Sequence, residues 1–188
     1  MGLQPSTLGG ITLCAKTSKP NITCITRYFT IDTVEIRPLK DNEVDELLGL
    51  WKDFMNDPAS IDEPIPTHEE NVKRQREFVT KLMNEDASQI LVATDEKELV
   101  GYVLFQNEVE PPLEMAHRIS YVADLYVKPR HRGRGVGEQL LRSCLDRLKK
   151  SKGGTHVQLR VWNSNKKAIA LYRKLGFKDR LIQMQLVT

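Results

Sequence analysis

The 188-residue sequence is poor in cysteine and in aromatic side chains: three Cys, with Phe, Trp and Tyr together at 6%. Cys14, Cys24 and Cys144 are too few and too scattered for a disulfide framework or for the spacing of a zinc site, so no metal is expected. No apolar run approaches the ~18–20 residues of a membrane-spanning helix, so no membrane role is expected either. The Walker pattern G-x-x-x-x-G-K-[ST] is missing, which argues against a nucleoside triphosphatase, and so is the dinucleotide fingerprint G-x-G-x-x-G. Acids are missing altogether from residues 1–31, whose charges are Lys16, Lys19 and Arg27. A Ser/Thr-rich, acid-free stretch suits a targeting segment, but one Arg and no cleavage signal fall short of one. We read residues 1–32 as a partly ordered extension, with alternation at Ile22, Cys24, Thr26 and Tyr28 also suiting a strand at a sheet edge.

What remains is the composition of one soluble globular domain, 40% hydrophobic and 28% charged. The net charge of +3 conceals a gradient. Residues 32–114 carry 8 bases and 21 acids; residues 115–188 carry 17 bases and 4 acids. Chance distribution of surface charge explains this as well as two ligands of opposite sign, an anion held by the second half and a cation by the first.

Periodicity predicts the elements of a domain over residues 33–188. Val34–Leu39 alternates as a strand. Asp41 or Asn42 then caps a helix carrying Val44, Leu47, Leu48, Trp51 and Phe54. After a polar loop from Asp57 to Pro66, Thr67 and Glu70 form a capping box for a second helix. Ile90–Ala93 and Leu99–Phe105 read as strands hinged at residues 95–98, and a loop over Asn107–Met115, containing Pro111-Pro112, breaks the sheet. Tyr121–Val127 is a strand, followed by a glycine-rich turn and a helix with Val136, Leu140, Leu141, Cys144 and Leu148 on one side. Val157–Val161 is a strand, Asn165 caps a short helix ended by Gly176, and Phe177–Val187 supplies one or two last strands. The fold class is α/β, a mixed central sheet flanked by helices.

The chemistry concentrates after the strand Asp124-Leu125-Tyr126-Val127. Gly133, Gly135 and Gly137 allow several backbone N–H groups to face one anion, and the following helix adds its positive end. Lys128, Arg130, Arg132 and Arg134 surround the turn with charge, as plain surface or as phosphate contacts. Arg132-Gly133-Arg134-Gly135-Val136-Gly137 resembles the R-x-x-G-x-G/A signature of the GCN5-related N-acetyltransferase (GNAT) family. Asn165 through Phe177 is similar to that family's N-x-x-A-x-x-x-Y-x-x-x-G-F block, in the right order. The resemblance covers Thr33 to residue 188 and implies the GNAT acyl-CoA N-acyltransferase fold.

The resemblance implies that the Arg132–Gly137 turn binds the pyrophosphate of acetyl-CoA. It further implies that Leu125, Tyr126 and Val127 lend backbone groups to the pantetheine arm, with Asn165 contacting the same arm. Tyr172 would protonate the departing thiolate; spacing alone favours a core tyrosine. Asp124, unusual within an apolar strand, is a base acting directly or through water, a holder of the substrate ammonium, or a solvent-facing acid. Glu114 and His117 are reserves. Cys144 lies on an apolar helix face and is expected to pack rather than react. Transfer is expected by direct attack in a ternary complex, with a backbone N–H near Val127 polarising the carbonyl.

Asp57, Asp62, Glu63, Glu108, Glu110 and Glu114 form an acidic set that suits a cationic primary amine, on a small molecule or on a protein, or simply solubilises two loops. A non-catalytic acyl-CoA-binding module is the competing reading. Nucleic-acid binding is disfavoured because the basic residues lack interleaved aromatics. A cytoplasmic location is expected, and a homodimer is compatible with this reading.

Overall fold

The computed structural model describes residues 34–86, 89–109, 119–150 and 156–186. Residue contacts divide the chain into Met1–Ile31 and Asp32–Thr188, and the described residues all lie in the second unit. The elements of that unit are β1 (Glu35–Pro38), α1 (Val44–Met55), α2 (Glu69–Asp86), β2 (Ile90–Asp95), β3 (Glu98–Val109), β4 (Ile119–Val127), α3 (Val136–Lys150), β5 (His156–Leu159) and α4 (Lys166–Lys174). The sheet order is β1-β2-β3-β4-β5; the first three pairings are antiparallel and β4–β5 is parallel. The two-residue link between β2 and β3 makes an antiparallel hairpin, whereas α3 is the crossover that the parallel β4–β5 pair requires.

Side-chain alternation in the strands divides the core in two. Val92, Tyr102, Leu104 and Tyr126 face α1 and α2, meeting Leu47, Leu50, Trp51, Val79 and Leu82. Leu91, Val103, Phe105 and Val122 face α3, meeting Val136, Leu140, Leu141, Cys144 and Leu148. The β2–β3 turn places Glu96 and Lys97 at φ of 47° and 76°, the left-handed pair that matches the twist of a two-residue hairpin. Among the described residues no helix is long and apolar enough to cross a membrane.

Four expectations change. A short 3₁₀ turn, Asp41–Glu43, precedes α1, so neither Asp41 nor Asn42 caps it. Instead Glu43 accepts from the Lys40 N–H at 3.0 Å and pairs with both Arg37 nitrogens. Helix α2 starts at Glu69, which puts His68 rather than Thr67 at the cap position. Strand β3 runs on through Asn107–Val109, where a loop was expected. Residues 177–186 form no strand although their pattern predicts one. The expectations for Pro111-Pro112, Glu110, Glu114, His117, Cys14 and Cys24 fall outside the described residues.

Candidate active site

Strands β4 and β5 pair only from Ile119–Val122 to His156–Leu159. At that point β4 carries a bulge. Val122 opposes Phe105 and Asp124 opposes Leu104, leaving Ala123 without a partner on β3. A bulge bends its strand and increases the local twist, so β4 diverges from β5 where Asp124 begins. Beyond it, Val127 opposes Gly101 and the Lys128 N–H donates to the Val100 carbonyl at 2.9 Å. In an antiparallel ladder this makes Val127–Gly101 a non-hydrogen-bonded pair, so the Val127 N–H and carbonyl point away from β3 into the gap.

Asp124 sits at the mouth of the gap. Tyr102, on β3 and fully buried, donates its hydroxyl to the Asp124 carboxylate at 3.3 Å. Burial pushes the Asp124 carboxyl up to about 6, with the Tyr102 bond opposing the rise. Tyr172 on α4 packs against the α3-side core, its ring edge-on to Phe177 at 5.9 Å. Burial, reinforced by the Asp124 charge, raises the Tyr172 phenol to about 12. The two groups therefore feel one another electrostatically across the fork, and Tyr172 stays protonated at neutral pH. Tyr102 had no signal in the sequence: it is one apolar-facing residue in a strand of apolar residues.

The turn after β4 is built by glycines where only glycine is comfortable. Gly133 and Gly135 have φ of 76° and 83°. Gly137, in the first turn of α3, lies against Val127 and Leu171, where an added Cβ would make only ordinary contact at 3.7 Å. Val136 is buried as the first core residue of α3, so the helix N-terminus opens at the turn. The early N–H groups of a helix lack intrahelical partners and carry partial positive charge. Arg134 is exposed beside them.

The other basic residues are engaged elsewhere. Lys128 and Arg130 both pair with Glu98 at the β2–β3 hairpin, Lys128 at 2.7 Å. Arg132 donates its Nε to the Val127 carbonyl at 2.8 Å, pairs with Asp57, and lays its guanidinium over the Tyr126 ring at 5.4 Å. Tyr126 itself is buried between Phe54 and Tyr102. Thus Arg132 fastens the α1–α2 loop to the glycine turn. Burial alone would raise the Asp57 carboxyl, but bonds from Arg132, Ser60 and the Ala59 N–H outweigh it and hold it below the usual range.

Asn165 does a parallel job. Its Oδ1 accepts from the Ala168 N–H at 3.0 Å, capping α4 as expected, while its Nδ2 donates to the Ser60 carbonyl at 3.3 Å. Ser164 bonds to Asp62. Loop 57–62 is therefore clasped from both sides of the fork. Within the acidic set, Asp57 thus lies paired with Arg132 and Asp62 bonded to Ser164. An open cleft of about 430 Å³ remains beside it, lined by Lys52, Asp53, Asn56, Asp57, Pro58, Tyr126 and Pro129. Cys144 is fully buried and burial pushes its thiol up to about 12, so it offers no thiolate at neutral pH. No metal-holding group of His, Cys, Asp or Glu occurs among the described residues.

Residues 49–177 match the Acetyltransferase (GNAT) family. The chain is 27% identical over 149 residues to thialysine N-epsilon-acetyltransferase from Bos taurus, covering 78% of this chain and 85% of that protein. It is 31% identical over 134 residues to L-methionine sulfoximine/L-methionine sulfone acetyltransferase from Pseudomonas aeruginosa, covering 70% and 73%. Its fold is similar to that of AAC(6')-Iy, solved in complex with the bisubstrate analogue CoA-S-monomethyl-acetylneamine. That match has a TM-score of 0.59 and 17% identity, and covers 83% of this chain and 99% of the other. Because the matched stretch runs from α1 to the turn after α4, and so encloses both the glycine turn and the Asn165–Phe177 block, the chain belongs to the GNAT family of acetyltransferases.

Proposed function

We propose that the protein transfers the acetyl group of acetyl-CoA to a cationic primary amine on a small molecule, by direct attack in a ternary complex. The observation that carries this reading is the fork: β4 leaves β5 at Asp124, exposing the Val127 backbone to the gap, with Tyr172 on one side and the glycine turn at its end. Val127 offers an N–H to the thioester carbonyl, and the N–H groups of Gly133–Gly137 with Arg134 offer a seat for the pyrophosphate. Such a shape fits a long, narrow ligand with an anionic end.

The chemistry assigned to this chain's residues is two proton transfers. Asp124, poised at about 6, takes a proton from the ammonium, directly or through water, freeing the nitrogen lone pair for attack. As the carbon–sulfur bond breaks, the Tyr172 hydroxyl gives its proton to the departing thiolate; the second proton that the nitrogen sheds as the amide forms passes to water, and water reprotonates Tyr172. With Cys144 buried and protonated, no acyl-cysteine is invoked. The acceptor is assigned to the cleft at Asp53, Asn56 and Asp57. Its cationic, small-molecule character rests on the carboxylates there and on relatives named for acetylating amino acids.

Thiol release from acetyl-CoA, measured against polyamines, amino acids with amino side chains, aminoglycosides and basic peptides, tests the reading. Turnover with at least one small amine is expected. Acetyl-CoA binding with no turnover on any amine identifies a binding module instead, and turnover on peptides alone moves the acceptor class to proteins.

A further inference from the structure

Lys128, Arg130 and Arg132, on the β4 side of the fork, are each paired with a carboxylate. Arg160, at the end of β5, is different. It is exposed and, among the described residues, makes no ion pair and no side-chain hydrogen bond. A solvated surface arginine is unremarked in most places, but this one stands where the two strands part.

Strand β5 keeps register with β4 as far as Leu159, opposite Val122. One residue further puts Arg160 across the fork from Ala123, the bulged residue, and next to Asp124. Laterally paired residues share a face, and successive residues alternate between faces. Val122 and Leu159 face α3, so Arg160 leaves on the opposite face, with Gln158 and its partner Tyr121. Asp124 uses that face too, since its carboxylate meets Tyr102 on the α1–α2 side. Electrostatics agree with the register. Burial raises the Tyr121 phenol, the Arg160 charge opposes the rise, and the Asp124 charge adds to it. Asp124 itself responds to burial and to Tyr102, not to Arg160. The two opposite charges thus stand apart, both within reach of the Tyr121 hydroxyl. Further along the same face, Tyr126 lines the cleft that holds Asp53 and Asn56.

This order along the sheet is a cation, then a carboxylate, then a cleft with an acidic side chain. An α-amino acid matches it in sequence: carboxylate, ammonium, side chain. A guanidinium presents paired N–H donors that suit a carboxylate, and a polyamine would meet Arg160 as a like charge. We propose that Arg160 is a specificity-determining residue that binds the carboxylate of the acceptor, so that the amine acetylated is the α-amine of a free amino acid, delivered to Asp124. The proposal rests on acetyl transfer at the fork and adds the acceptor's second charge.

The test compares each amino acid with the amine that lacks its carboxylate: lysine with cadaverine, ornithine with putrescine, alanine with ethylamine. Thiol release from acetyl-CoA by the full-length chain is expected to give at least one amino acid a kcat/KM about tenfold or more above its counterpart. Arg160→Gln should bring that ratio to about one by raising KM for the amino acid, with KM for acetyl-CoA nearly constant, and Arg160→Lys should restore part of it. Because Arg160 is exposed, Tm of the glutamine variant should match the wild type. Calorimetric titration of the same compounds into the CoA-bound protein reads the carboxylate preference without turnover. If no amine is acetylated, the acetyl-transfer reading fails while the calorimetric ratio still decides the role of Arg160. A wild-type ratio of one or less, a ratio that survives Arg160→Gln, an equal rise in KM for acetyl-CoA, or better turnover of peptides with an acidic second residue than of any free amino acid each overturn the proposal.

Discussion

Asp124 and Tyr172 occupy the same fork, and burial moves both toward their protonated forms. An aspartate ordinarily titrates near 3.8, and in the folded chain Asp124 does so at about 6. The folded state therefore holds this proton more tightly than the unfolded state. Stability contributed by the protonated acid is present below about 4 and lost as the pH rises through about 6. Asp124→Asn is accordingly expected to raise stability by about 1–2 kcal/mol at pH 8 and to change it little at pH 4, read from Tm at both values. The same substitution should lower kcat by about 10²-fold and abolish the rise of activity through pH 6. Unchanged pH dependence would exclude Asp124 as the base. Tyr172→Phe keeps the ring against Phe177 but removes the proton. A fall in kcat of about 10²-fold with KM for acetyl-CoA nearly constant is expected; full activity across pH would remove the general-acid role.

At the scale of elements, close approach of backbone decides where substitutions are tolerated. Gly101 on β3 lies under β4 and α3: an added Cβ would meet the Tyr126 carbonyl at 2.7 Å and Leu140 at 3.3 Å. A backbone oxygen cannot step aside as a flexible side chain can. Gly101→Ala should therefore cost about 1–3 kcal/mol in denaturant unfolding. Gly135, at φ 83°, would give a Cβ only an ordinary contact with Gln139 at 3.9 Å, so Gly135→Ala is strained by conformation rather than by contact and should cost about 1–2 kcal/mol. It should also raise KM for acetyl-CoA more than KM for the amine. The clasp on loop 57–62 makes a different prediction. Asp57→Asn leaves Arg132 partly buried without its counter-charge and should destabilise by about 1–3 kcal/mol. Its kinetic effect should fall on both substrates, since Asp57 lines the acceptor cleft while its partner Arg132 anchors the glycine turn. An effect on the amine alone would uncouple the two.

For the molecule as a whole, the acidic and basic halves are joined by charge. Glu98 holds Lys128 and Arg130, Asp57 holds Arg132, and Asp95 lies 3.5 Å from His131. Much of the positive charge around the turn is thereby neutralised, which weakens the case for nucleic acid and leaves backbone N–H groups as the main attraction for phosphate. The solvent-accessible Glu98 pairs add little stability. Glu98→Gln should leave Tm nearly unchanged yet lower KM for acetyl-CoA at low salt by releasing two cations beside the turn. A KM that does not move would mean that those cations lie beyond electrostatic reach of the site.

Local pattern sufficed for what local physics controls. Alternation located the core strands, helical spacing located α1, α3 and α4, the Asn165 cap and Gly176 bounded α4, and the glycine turn with the Asn165–Phe177 block pointed to the family. Three features came only with the tertiary structure, because each depends on residues far apart in the chain. Tyr102 meets Asp124 only because β3 and β4 are in register. Arg132 reaches Asp57, a contact with no local signal, only because loop 57–62 folds over the turn. The segment 181–186 has the alternation of a strand and still forms none, because a strand also needs a neighbour in register, which alternation by itself does not supply.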